Sequence, residues 1–261
     1  MVHTETEAWG LTYERYALEL LQKEMAKKYS VKTVAEIPAH GVKAMPSIYS
    51  IGFGLAGCSV TLVNGNENYI SEWRKLGIDS NVRFVDVNSI YEPGIEDNSF
   101  DLVWSFAYLP GAENPEKLIK TMAKISNKYV AIFSVNAGNV GFPIHRALHK
   151  INKVPWTHGD IKYNSIRNVE KLLKENGVKV IKKGYVDTPP WPDSLGFRDM
   201  RLHKSANILE NANWVSPYIS MRQDNSFPSW VKLVYLFEKI PMPMFLKTRY
   251  SHIFYVVGEV V

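Results

Sequence analysis

In two irregular stretches, Asn136 to Tyr163 and Asp187 to Trp230, the side chains of His145, His149, His158, Asp160, Asp187, Asp193 and His203 are of types that remove protons or bind metal ions. His145 and His149 stand one helical turn apart, a spacing that puts two imidazoles on one helix face and suits a metal pair. The sequence identifies no third ligand. A solvated or core helix carrying two histidines is therefore the stronger reading, and no metal is assigned. Where a reaction needs a general base, His145 and His158 are the preferred catalytic candidates.

Composition narrows the setting. A chain of 261 residues, 46% hydrophobic and 22% charged, can bury a full core as one α/β domain spanning 1–261. Cys58 is the sole cysteine, so no intramolecular disulfide, thiolate zinc site or CxxC redox pair can form, and a reducing cytoplasm fits best. The formal charge is +5, but Lys and Arg are dispersed rather than blocked, so a nucleic-acid partner is not expected. Met1 to Glu7 is polar and acidic, and no apolar run approaches the roughly 18 residues of a membrane span. Secretion and membrane insertion are not expected.

Positioning such residues requires a scaffold, and the periodicities supply one. Apolar and aromatic residues recur at helical spacing from Tyr13 to Tyr29, predicting an amphipathic entry helix. Strand character follows at Thr33 to Ile37, Ser59 to Val63, Val82 to Val87, Phe100 to Phe106 and Tyr129 to Val135. Between them, helices are expected within Ala44 to Gly57 and over Asn68 to Leu76 and Pro115 to Ser126, the last with Pro in its first turn. Ser165 to Asn176 reads as a helix ended by Gly177, Val178 to Val186 as a strand and Tyr250 to Val257 as a closing strand. Strands alternating with helices imply βαβ crossovers, hence a doubly wound, mostly parallel seven-stranded α/β sheet with helices on both faces. In such a sheet ligands lie beyond the carboxyl ends of the strands.

The residues at those ends are Glu36-Ile37-Pro38-Ala39-His40-Gly41, Asn64-Gly65, Asp86-Val87-Asn88 and Ser105-Phe106-Ala107-Tyr108. Together with Asp97-Asn98-Ser99-Phe100-Asp101-Leu102-Val103, which enters the fourth strand, and Gly177-Val178-Lys179-Val180, this series resembles the class I S-adenosylmethionine-dependent methyltransferase family over Val31 to Val135. The resemblance implies S-adenosylmethionine as cofactor, held by Glu36, Pro38, Ala39, His40, Gly41, Asn64, Gly65, Asp86, Val87, Asn88, Ser105 and Phe106. It also implies a helical cover over 1–30, a cofactor-binding core over 31–135 and acceptor-side insertions over 136–163 and 187–249 that form a cap. Two positions depart from the family pattern. Pro38-Ala39-His40-Gly41-Val42 keeps one glycine of the usual three, and Asn64 stands where a carboxylate would accept two ribose hydroxyl bonds.

For the acceptor, Tyr13, Tyr16, Tyr108 and Trp191 are the candidate contacts, although Tyr13 and Tyr16 serve equally as core residues of the entry helix and Trp191 as part of a stiff surface loop. Glu36 has a second reading as a carboxylate capping the next helix, and Asp101 reads as a turn or cap residue outside the site. The aromatic stretch from Trp230 to Phe245 is read foremost as core, with a subunit contact in a homodimer or the border of an apolar acceptor as alternatives. The expected activity is methyl transfer to a small or medium-sized, hydrophobic or cofactor-like molecule. Its rival is a non-catalytic binding module on the same scaffold. A nicotinamide oxidoreductase is disfavoured, because no Gly-x-Gly-x-x-Gly follows a strand.

Overall fold

Short apolar runs closed by Pro, Gly or Asn become the strands. The structure, a computed structural model, describes residues 4–40, 45–191, 195–197, 200 and 213–260. After a short β1 (Thr4–Thr6) and a long α1 (Trp9–Lys28) come β2 (Thr33–Glu36), α2 (Ile51–Leu55), β3 (Ser59–Val63), α3 (Ile70–Lys75), β4 (Val82–Val85) and β5 (Phe100–Phe106). The chain continues through α4 (Pro115–Ile125), β6 (Ser126–Val135), α5 (Phe142–Ile151), α6 (Ile166–Glu175) and β7 (Val178–Val186). Then follow β8 (Asn213–Val215), α7 (Pro217–Gln223), α8 (Ser229–Lys239), α9 (Met244–Tyr250) and β9 (Ile253–Val260).

Seven strands form one sheet in the order β4-β3-β2-β5-β6-β9-β7, parallel except for β9, which runs antiparallel to both neighbours. Its start therefore lies at the edge where the parallel strands end, with Ile253 opposite both Val135 and Val186. All seven residues of β5 are buried, as a central strand covered on both faces requires. Leu102, Trp104 and Phe106 join the cluster under α1, α2, α7 and α8, while Phe100 and Val103 join the one under α4 and α6. The expected doubly wound sheet is thus present. Among the described residues no helix is long and apolar enough to cross a membrane.

Several expected elements differ in extent. Within Ala44 to Gly57 only Ile51–Leu55 is helical among the described residues. It packs so closely on α1 that a Cβ on Gly52 would stand 2.7 Å from the Glu19 Cα. Phe142–Ile151 is a regular helix inside a stretch read as irregular. β1 pairs with β8 in a separate two-stranded parallel sheet. The C-terminal aromatic stretch is only partly core. Val231 and Val234 of α8 are buried, whereas Leu233, Leu236, Ile240, Met244 and Phe245 are exposed.

Asp101 performs the structural task read for it. Its carboxylate accepts from the backbone N–H of Lys32 (2.7 Å) and Thr33 (3.1 Å) at the entrance to β2, and Lys128 Nζ pairs with it at 2.7 Å. Burial alone would raise its pKa. Lys128 and the two N–H donors outweigh that and hold it below the usual 3.8. Its contribution to stability is thus present above the ordinary carboxylate range and lost as pH falls through the lowered value. Asp101→Asn is expected to cost about 2 kcal/mol in urea unfolding at pH 7, the scale of hydrogen bonds to a charged group. The difference from wild type should close at strongly acid pH.

Candidate functional site

The carboxyl edge of the sheet has two halves, and residues from distant segments build each. On the β2–β5 half, Glu36 closes β2 with its side chain buried. The Ser50 hydroxyl donates to Glu36 Oε2 (2.6 Å) and accepts from the Trp104 indole N–H (2.9 Å). The carboxylate therefore holds the side chain of the residue preceding α2. Burial pushes its pKa up to about 7, against the opposing pull of Ser50 and Arg15.

Beyond Glu36, the Ile37–Pro38 peptide is cis, and Pro38 and Ala39 are buried. Ala39 N–H bonds the Val63 carbonyl (2.7 Å), and the Ser47 hydroxyl donates to the Ala39 carbonyl (2.9 Å). Gly41 lies outside the described residues. His40 is exposed on the rim. Its ring hydrogen-bonds the Asn64 backbone and meets Tyr108 edge-on at 5.5 Å, so one imidazole links the loops after β2, β3 and β5. Burial of part of the ring lowers its pKa, opposed by the Asn64 bond.

Asn64, at φ 53°, accepts from Val87 N–H through Oδ1 (2.7 Å), which leaves its amide NH2 as the group it can offer a ligand. Gly65 is small for packing, since a Cβ there would stand 3.0 Å from Leu62 and Phe84. Asp86 and Asn88 are exposed and Val87 is half-buried. Ser105 and Phe106 are buried, Phe106 stacked on Tyr49 at 4.2 Å, and Ser105 Oγ has no hydrogen-bond partner.

The other half gathers residues that no local sequence signal joined. Asp187, at φ 59° just past β7, accepts from His252 Nδ1 through Oδ2 (3.0 Å), and Glu14 Oε2 of α1 lies 3.3 Å from the same nitrogen. His252 N–H also bonds the Asp187 carbonyl (2.8 Å). Both carboxylates are buried, while the His252 side chain retains 16% exposure. Because carboxylates only accept, Nδ1 carries the proton and Nε2 is the basic nitrogen of the neutral ring. Around this group Glu238 accepts from the Tyr13 hydroxyl (2.6 Å) and from Thr188 N–H (3.0 Å), and Thr188 and Ser251 share a bond of 2.7 Å. Asn136 and Asn139 clasp the loop after β6 to the carbonyls of 248–251. Asp187 is among the base candidates of the sequence. His252, Glu14 and Glu238 are not, since they meet it only across long stretches of chain.

The remaining sequence candidates fall in different places. Tyr13 is fully buried and bonded to Glu238, and Tyr16 packs on Phe227 (4.7 Å) and Tyr235 (5.7 Å). Trp191 is exposed, whereas Asp193 and His203 lie outside the described residues. His145 and His149 do share one face of α5, and His158 comes to meet them. Asp160, two residues on, donates its N–H to the Pro110 carbonyl (2.7 Å). That contact ties the histidine segment to the loop after β5 that carries Tyr108.

Comparison with known proteins places this architecture. Residues 47–129 match the family model described as a methyltransferase domain. The fold is similar to that of the YcgJ protein of Bacillus subtilis (12% identity, 93% of this chain and 97% of that one, TM-score 0.53). It is likewise similar to an S-adenosylmethionine-dependent methyltransferase of Thermotoga maritima (13%, 97% and 93%, 0.52) and to the [4+2]-cyclase SpnF (12%, 93% and 80%, 0.52). No curated protein sequence matches the chain. Part of the chain thus matches a methyltransferase domain, on a fold that is shared with an S-adenosylmethionine-dependent methyltransferase.

A buried carboxyl with a raised pKa binds its proton more tightly folded than unfolded. Glu36 thus reduces stability progressively as pH rises from about 4.5 to about 7. Glu36→Gln keeps an acceptor for Ser50 and removes the titration. Its stability relative to wild type should rise by about 3 kcal/mol between pH 4.5 and 8 in denaturant melts, from a shift of this size.

Proposed function

We propose that the protein transfers the methyl group of S-adenosylmethionine to a small or medium-sized organic acceptor bound at the β6–β7–β9 half of the edge. S-adenosylmethionine supplies an electrophilic methyl group on a sulfonium. The chain's tasks are then to hold both partners in line, exclude water and take a proton where the acceptor carries one.

The donors at the strand ends suit such a ligand. Glu36 is the acid for an ammonium group, the Asn64 amide is a donor for a ribose hydroxyl, and Asp86 is an acceptor near an adenine amine. Gly65, Val87, Asn88, Pro38, Ala39 and Phe106 belong to the same strand ends and loops, and Gly41 lies outside the described residues. Ser105 supplies the supporting observation, a buried hydroxyl without a partner at the end of β5. One cavity beneath α1, lined by Arg15, Gln22, Tyr49 and Tyr218, has a volume of about 10 Å³ and holds no more than a water.

The observation that carries the reading is the His252–Asp187 pair, set at the carboxyl edge with its basic nitrogen opposite the buried carboxylates. We assign His252 the role of general base, ahead of His145 and His158, which sit together in a separate cluster. Tyr108 borders the acceptor from the β5 side. The half-buried Tyr16 and the exposed Trp191 flank the covering segments, and these aromatic surfaces favour an apolar acceptor.

His40 favours the rival reading, a binding module without turnover, because its ring stands on the rim where the family keeps a glycine. Calorimetry with S-adenosylhomocysteine separates the two. Saturable micromolar binding supports the enzyme, and no heat with either cofactor form refutes it. His40→Gly removes one hydrogen bond and one edge contact that a nucleoside would displace, and binding should tighten by about tenfold, or about 1.4 kcal/mol. His252→Asn should leave that affinity within twofold yet reduce transfer of labelled methyl into a fractionated metabolite extract by about 100-fold. Equal loss of both would make His252 a structural residue.

A further inference from the structure

The three histidines of the α5 region are the strongest feature that the proposed reaction leaves unused. His149 is buried, and its Nδ1 lies 2.9 Å from the Pro155 carbonyl, an atom that only accepts. Nδ1 therefore carries the proton, and the lone pair of neutral His149 sits on Nε2. That nitrogen faces His145 Nε2 at 3.2 Å. Two nitrogens bound to one tetrahedral zinc at about 2.05 Å stand about 3.3 Å apart, so the pair already has the separation of two ligands of a single ion.

His158 closes the set. Its ring centroid is 5.0 Å from that of His145 and 5.3 Å from that of His149, and one nitrogen from each of the three rings lies within 4.8 Å of the others. The backbone brings them there by two close approaches. Gly159, at φ 73°, lies against the Pro110 carbonyl, where any side chain would collide. Gly196, at φ 79°, lies against the His145 ring, where a Cβ would likewise collide. A backbone carbonyl holding the far nitrogen of an imidazole is the usual support of a metal-bound histidine, and His149 has it.

We propose that His145, His149 and His158 bind one divalent transition-metal ion of the zinc class. Three imidazoles suit zinc, cobalt or nickel and are poor partners for magnesium or calcium, which take oxygen donors. Three ligands leave a fourth position for water or for a donor atom of a small molecule. The second convergent group, Glu14, Asp187 and His252, is already knit together by the bond from imidazole to carboxylate, whereas the histidine cluster contains no carboxylate among the described residues. The site stands on its own geometry and holds whether or not the chain transfers methyl groups.

Untagged protein stripped with chelator and titrated with cobalt(II) provides the test, followed by competition with zinc(II). One equivalent should bind with the visible absorption of tetrahedral cobalt, and zinc should displace it. Trp156, 4.7 to 5.4 Å from all three rings, should lose emission as cobalt binds, and Trp156→Phe should abolish that quenching while leaving the absorption titration intact. His158→Gln should weaken binding by at least about 100-fold, since even losing a supporting contact to a ligand costs 10–100-fold. His252→Gln should leave binding unchanged. If His158→Gln fails to fold by circular dichroism, the half-exposed His145→Gln on the surface of α5 carries the same test. Absence of saturable binding overturns the proposal, as does binding that survives the His145 and His158 variants or is lost with His252→Gln.

Discussion

Because β9 enters the sheet antiparallel between β6 and β7, the residue preceding it arrives at the edge where every other strand of that sheet ends. In an all-parallel sheet the start of a strand lies at the opposite edge, away from the loops that hold ligands. The reversal puts His252 beside Asp187, 65 residues earlier in the chain, through both a backbone and a side-chain bond. It also sets Ser251 against Thr188 and against the two asparagines that follow β6. The β6–β7–β9 corner is thus a product of strand direction, and the side chains there are fixed by the sheet's own ladder.

α1 pins this corner from above, and its composition departs from that of an amphipathic cover. Glu14, Arg15, Glu19 and Gln22 are buried along with Tyr13, Ala17 and Leu18. Each charge has an assigned counterpart. Arg15 forks onto Glu7 (2.6 and 2.9 Å), Glu19 takes Tyr218, Lys23 and Arg222, and Tyr13 reaches Glu238. Desolvating such groups costs several kcal/mol each, and the pairs do little better than break even against apolar residues of the same size. What they add is registry. A helix held by directional bonds at four places along its length cannot slide against α2, α7 and α8, and its Glu14 stays opposite His252.

The strands were readable because the apolar runs are short and end at residues that stop a ladder. Phe100–Phe106, Ser59–Val63 and Val178–Val186 coincide with their expected limits, and the parallel direction of β2 to β6 is what the βαβ alternation implies. The limits of α5 were not legible because Pro143 in its first turn and two histidines break up its apolar stripe, although Pro is at home in that position. Glu36 was legible as a strand-end acid, but its inward bond to Ser50 depends on Trp104, 54 residues beyond Ser50. His252 and Glu238 carried no signal. One falls inside the expected closing strand, Tyr250 to Val257, whereas β9 begins only at Ile253, and the other sits in an aromatic stretch where a lone acid looks solvent-facing. Their partners are set by tertiary contact, for which no periodicity codes.

The same distinction explains where this chain departs from the methyltransferase pattern that it resembles. The sheet and its two apolar faces tolerate substitution only by similar shapes, so the strand pattern remains recognisable at low identity. The loops at the carboxyl edge answer to different constraints. His40 can replace a glycine because its ring swings outward to the Asn64 backbone and to Tyr108 and adds no atoms to the packed interior. Asn64 can replace a carboxylate because its amide oxygen is consumed internally by Val87, a bond that an unprotonated carboxylate would also make but at the cost of a charge on the rim. Both substitutions exchange a contact to a ligand for a contact within the chain. A cofactor binding there would compete with bonds that His40 and Asn64 already make.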